Sequence, residues 1–164
     1  MDITETQAAY LAGLIDGEGS LECQKEWQPR GRTPRYTLRL SFTFATLEPL
    51  ATVSEWLGVS YKRFPATDAS RQDRYRAHVY KSLAVEVLGR CIPYLTLKRR
   101  QAEIILAIEA VRVAASPTRK HVGSSSATVM PESAIAEMDA LHVELRSLKS
   151  NKHLRYSHDP LLSR

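Results

Sequence analysis

The apolar positions of this chain change their spacing several times, and each change marks a new element. Thr4 and Gln7 stand three apart as a capping box. They predict a first helix, carrying Leu11, Leu14 and Ile15, that runs to about Asp16 and is closed by Gly17 and Gly19. The period then drops to two. Leu21, Cys23 and Trp27 fall on one side and Ser20, Glu22, Gln24, Glu26 and Gln28 on the other, the signature of a strand with one buried face. After PRGRTPR, rich in turn formers, the alternation resumes with Leu38, Leu40, Phe42 and Phe44 inward and Thr37, Arg39, Ser41 and Thr43 outward, so the two strands should form a hairpin. From about Leu47, helical spacing returns in Leu50, Val53, Trp56 and Leu57, and Gly58 ends it.

The same order then repeats. VSYKRFP and RYRAHVY predict two further strands joined by a polar loop, and SLAVEVLGRCI predicts a helix ending before Pro93. A long amphipathic helix follows from about Lys98 to Ala115 on Ile104, Ile105, Ile108 and Val111. SPTRKHVGSSSATV, small and polar, reads as a mobile surface loop, and a last helix runs from about Pro131 to Lys149 on Ile135, Met138, Leu141, Leu145 and Leu148. The outline is an α+β fold, αββαββα with extra C-terminal helices. It implies a curved antiparallel four-stranded sheet whose apolar face is covered by helices and whose polar, arginine-rich face is open. A chain of 164 residues suits one domain over residues 1–150, with 151–164 as a frayed tail.

Composition narrows the class. Hydrophobic residues make up 43% and charged residues 25%, as in a globular protein. No run approaches 18 apolar residues and MDITETQ lacks the basic start and apolar core of a signal peptide, so no membrane span and an intracellular location are expected. Cys23 and Cys91 match neither a CxxC pair nor a disulfide framework, and the five histidines are scattered. The net charge of +5 favours an acidic partner. That charge is clustered. Arg30, Arg32, Arg35 and Arg39 follow one another with no acid between them, and Lys62, Arg63, Arg71, Arg74, Arg76 and Lys81 outnumber Asp68 and Asp73.

A sheet face presenting Glu22, Gln24, Glu26, Gln28, Thr37, Arg39, Ser41 and Thr43 holds donors and acceptors suited to base edges, and a two-stranded ribbon fits the major groove of B-DNA. An ordinary solvated face shows the same pattern. Arg30, Arg32, Arg35, Lys62, Arg63, Arg71, Arg74, Arg76 and His78 complete the candidate DNA-contacting set.

The first helix poses a separate question, because its small residues lead directly into Asp16, Gly17, Glu18 and Gly19. Small residues let two helix backbones approach closely. If two copies met about a two-fold axis through Ala9, Leu11, Ala12, Gly13 and Asp16, each would bring Glu18 to the foot of the interface. Paired carboxylates beside helix C-termini favour a hard divalent cation such as magnesium, which supports phosphodiester hydrolysis. An acidic helix end followed by a glycine turn is the simpler alternative.

LAGLIDGEG at residues 11–19 closely resembles the motif that names the LAGLIDADG homing endonucleases, and IPYLTLKRRQAE at 92–103 is similar to a second segment of that family. One copy of the motif places the chain with the single-motif, homodimeric subgroup. The resemblance implies site-specific double-strand cleavage of a long, pseudo-palindromic DNA target with short 3′ overhangs, and no small-molecule substrate. It implies magnesium as cofactor, with manganese able to substitute and calcium supporting binding without cleavage. Glu18 matches the metal-binding acid, the carbonyl of Gly17 is a further candidate ligand, Asp16 matches a structural acid and Lys98 matches the family's active-site lysine. Thr46 stands nearest the position of a water-organising glutamine, and the basic residue expected beyond it is absent from LEPLATVSEW.

Two other readings stand beside this one. A cleavage-deficient relative, such as an intron maturase or a repressor-like factor, would keep the DNA-binding face. A purely structural dimerisation module would leave the arginine clusters without a use. Sixteen arginines against seven lysines, with Asn151 the single asparagine, point to GC-rich coding and so to a bacterial or phage source rather than an organelle.

Overall fold

The computed structural model describes residues 2–27, 33–68, 70–115, 120–121 and 128–150. Thr4 opens α1 (Glu5–Glu18) as a capping box, its hydroxyl accepting from the Gln7 N–H while the Gln7 side chain accepts from the Thr4 N–H. The helix runs two residues past Asp16, so Gly17 and Glu18 belong to its last turn. Gly19 is the residue that ends it. A Cβ there would lie 2.6 Å from the Ile15 Cα and 2.7 Å from the Ile15 carbonyl oxygen, so the chain turns this sharply into β1 only without a side chain.

β1 (Gly19–Trp27) and β2 (Pro34–Phe44) follow, then α2 (Glu48–Leu57), closed by Gly58 in the left-handed conformation at φ 63°. The second repeat is β3 (Tyr61–Phe64), β4 (Arg74–Tyr80) and α3 (Lys81–Cys91), after which a short 3-10 turn over Ile92–Tyr94 leads to α4 (Arg99–Ala114). The strands form one antiparallel sheet in the order β1-β2-β4-β3. The α+β architecture, with its αββαββα order and its further helix, α5 (Glu132–Ser150), is the one predicted.

Alternation along the sheet decides which face packs. Tyr36, Leu38, Leu40 and Phe42 of β2, Leu21 and Cys23 of β1, and Ala77 and Val79 of β4 are buried with Leu11, Ile15, Leu50, Val53, Val87 and Leu88 of the helices. Trp27, predicted inward, is 63% exposed: the buried alternation of β1 stops at Cys23, and the strand runs on past its apolar cover.

The chain divides into two compact units, one of residues up to Glu26 with Arg35–Leu106, the other of Trp27–Pro34 and the chain from Ala107 onward. In the second unit, part of the segment read as an unstructured loop forms a short antiparallel hairpin, β5 (Lys120–His121) with β6 (Thr128–Val129). Met138 and Leu145 of α5 are buried there, as their spacing predicted, and the Met130 N–H donates to the Thr33 hydroxyl at 3.3 Å. The remainder of that loop and the tail 151–164 lie outside the described residues. Among the described residues no helix is long and apolar enough to cross a membrane.

Candidate active site and nucleic-acid interface

The motif folds into a joint between two helix ends. Asp16 accepts from the backbone N–H groups of Thr96, Leu97 and Lys98 at 2.7, 3.1 and 2.8 Å. Those groups lead into α4, so Asp16 ties down the chain where it enters that helix from across the fold. Lys98 returns the contact. It is 4% exposed, and its ammonium donates to the carbonyls of Ile15, Asp16 and Gly19 at 2.6, 2.9 and 2.8 Å. An ammonium has three N–H donors, and carbonyls around a helix C-terminus keep free lone pairs and partial negative charge, so the two suit each other.

Glu18 sits inside this clamp and takes no part in it. Its side chain is exposed, with no hydrogen bond or ion pair to any described residue. A carboxylate at a helix C-terminus opposes the helix dipole, so it stands where folding alone disfavours it. Its oxygens suit a hard divalent cation, and the Gly17 carbonyl is not among those taken by Lys98. No group of three His, Cys, Asp or Glu side chains converges among the described residues, so a cation on Glu18 would need further oxygens from water or from outside the chain. Thr46 is exposed in the bend between β2 and α2.

The outer side of α1 carries Ala9, Gly13 and Gly17, all exposed, and a Cβ on either glycine would meet nothing within 4 Å. Leu11 and Ala12 do not belong to that stripe as predicted. Both are fully buried in the chain's own core, because they share a helix face with Ala8 and Ile15. Asp16 is likewise turned to the 96–98 backbone. Gly17 shares this exposed side with Ala9 and Gly13.

The sheet face opposite the helices is polar and crossed by bonds between strands. Ser20, Glu22, Gln24 and Glu26 line it on β1, and Arg35, Thr37, Arg39 and Thr43 on β2. Lys62 on β3 and Arg74, Arg76 and His78 on β4 complete it, as the register shows by pairing Thr43 with Arg76 and Ser41 with His78. Arg39 pairs with Glu22, and Arg76 donates to the Thr43 hydroxyl at 3.0 Å with its guanidinium 5.2 Å from the centre of the Phe64 ring. Alternation also adds Phe64 and Tyr80, which charge patterning alone did not select.

Three assigned residues sit differently. Arg63 falls on the other side of β3 and donates to Asp73 at 2.8 Å, and Arg71 lies in the β3–β4 connection against Asp68, so loop carboxylates hold both. Ser41 is on the right face yet 7% exposed, closed in by larger neighbours on a central strand. Gln28, Arg30 and Arg32 lie outside the described residues.

His78 makes this face sensitive to pH. Burial, together with the nearby Arg39 and Arg76 guanidiniums, holds its pKa below the ordinary 6.5, and its Nδ1 has no hydrogen-bond partner. The unfolded chain therefore binds the proton first, so stability rises with pH across this titration and falls as pH drops through 6.5 toward the lowered folded value. His78→Asn should flatten that slope, measured as the difference in urea midpoint between about pH 5 and about pH 7.5. An unchanged slope would place the titration on another group.

No protein-family model and no curated protein matches the chain. Solved structures do. The homing endonuclease I-CvuI, in complex with its target in the presence of 2 mM Ca, superposes with a TM-score of 0.65 at 19% identity, over 88% of this chain and 82% of that one. The archaeal intron-encoded homing endonuclease I-Vdi141I, complexed with DNA, gives 0.66 at 18% over 88% and 84%. The LAGLIDADG meganuclease I-CpaMI, bound to uncleaved DNA, gives 0.59 at 13%, over 82% of this chain and 42% of that one. With its motif helix leading into a hairpin, its repeat of strands and helix, and its open polar sheet face, this chain has the fold of the LAGLIDADG homing endonucleases.

Proposed function

We propose that the chain is a site-specific DNA endonuclease that works as a homodimer and hydrolyses both strands of a long, pseudo-palindromic target, leaving short 3′ overhangs. The observation that carries this reading is Glu18: an unpaired carboxylate on a helix end that Asp16 and Lys98 hold rigidly against α4. A two-fold axis along the Ala9–Gly13–Gly17 stripe would bring two copies of Glu18 together. Magnesium, or manganese in its place, would lower the pKa of bound water and stabilise the leaving oxygen when held there. Glu18 would bind it directly and the Gly17 carbonyl would assist. Lys98 contributes positive charge behind the motif and keeps Glu18 in place, since its N–H groups are committed to backbone. The open sheet face would lie in the major groove, with Arg35, Arg74 and Arg76 toward phosphates or bases and Gln24 and Thr37 toward base edges.

A second reading, a relative that binds DNA without cutting it, draws on the commitment of Lys98 to backbone and on the small Thr46 side chain. A pool of partly palindromic duplexes, incubated with the protein in magnesium or in calcium, separates the two. Double-strand cuts at a defined sequence in magnesium, with retention only in calcium, are expected. Retention without cuts in either metal would select the second reading, and absence of salt-sensitive retention would remove both.

A further inference from the structure

The two ways an arginine meets DNA, as a charge on phosphate or as a fork on a base, are separable on this sheet face. Arg39 sits on the central strand β2, where its side chain keeps 24% of its exposure and that of Glu22 28%. Its Nε donates to Glu22 Oε2 at 3.1 Å, and its Nη2 donates to the same oxygen. Tyr80 is its register partner on β4. The guanidinium is thus held by Glu22 of the neighbouring strand β1, with less rotamer freedom left to lose on binding.

A planar guanidinium has two edges that can grip a pair of acceptors. Glu22 occupies the Nε and Nη2 edge, which leaves the outer edge of Nη1 and Nη2 as the one a ligand could meet. In the major groove guanine alone presents two adjacent acceptors, O6 and N7, for such a fork. Charge argues the same way. An arginine neutralised by its own carboxylate gains little from a phosphate, whereas Arg35, Arg74 and Arg76 have no carboxylate partner among the described residues and keep their full attraction to the backbone. We propose that Arg39, positioned by Glu22, reads a guanine at one place in each half of the DNA target. This rests on the DNA-binding reading above.

Wild type, Arg39→Lys and Glu22→Gln, each confirmed as folded by its urea midpoint, would select from a randomised duplex pool in calcium, with the retained duplexes sequenced. Wild type is expected to enrich guanine at one position per half-site. Arg39→Lys keeps the charge and loses the fork, so guanine preference there should fall roughly 5- to 100-fold while preferences elsewhere persist. Glu22→Gln should weaken the same position by a smaller factor, since the edge is still occupied but the positioning bond is no longer charge-assisted. A positional profile unchanged by Arg39→Lys, or a wild-type profile with no guanine preference, would overturn the assignment while leaving DNA binding intact. If wild type retained no duplex at all, the DNA-binding reading would fall, and this assignment with it.

Discussion

Glu18→Gln is expected to retain DNA in calcium with wild-type affinity and to cut it in magnesium at least about a thousandfold more slowly. The exchange preserves size and shape, so the end of α1 and its clamp should be unaltered. It removes the negative charge that a hard cation needs, and with it the several kcal/mol of transition-state stabilisation such a cation supplies. Stability supports the assignment from the other side. Because the Glu18 carboxylate has no partner among the described residues and opposes the helix dipole, the variant should melt no lower than wild type. A functional residue that costs stability where it stands behaves in this way. Single-turnover cleavage of the selected duplex, together with a melting curve, checks both halves, and cleavage by Glu18→Gln at the wild-type rate would overturn the ligand assignment.

Lys98→Met should instead lose stability first. The thioether keeps most of the apolar stem, but the carbonyls of Ile15, Asp16 and Gly19 lose a buried, charge-assisted donor each. Three such bonds, offset by the relief of a desolvated ammonium, come to about 3 kcal/mol. The urea midpoint should fall at unchanged m-value, and cleavage should fall with it because the turn that carries Glu18 is loosened. If Lys98 served only a phosphate, cleavage would drop with the midpoint unmoved, and that result would overturn the clamp. Asp16 provides the complementary control, since its three backbone donors lie at the opposite helix end.

Much of this was legible in the chain. The Thr4 and Gln7 capping box, the Gly58 stop, the alternation of β1 and β2 and the spacing in α4 and α5 all depend on residues within a few positions of each other, and all are present. The position of Glu18 at a helix end was equally readable. Two readings differ from the structure because their outcome is set by distant packing. Trp27 follows the inward alternation but lies beyond the stretch of β1 that is covered. Leu11 and Ala12 suit an outer face by pattern but are fully buried, because small and apolar residues fit either a core or a helix contact and pattern alone does not say which. Arg63 and Arg71 stay 63% and 72% exposed, and the structure adds their ion pairs with Asp73 and Asp68, which charge counting alone does not show.

The sequence by itself determined the order of the αββαββα elements, the two faces of the sheet and the acid at the end of the first helix, since periodicity and capping are local properties of the backbone. Only the tertiary structure decided where the ammonium of Lys98 goes, which side of α1 is left bare, and that Arg39 is held by Glu22. Those outcomes join residues far apart in the chain, and they are chosen by burial: a charge removed from water must end on whatever partners the packed fold places within reach.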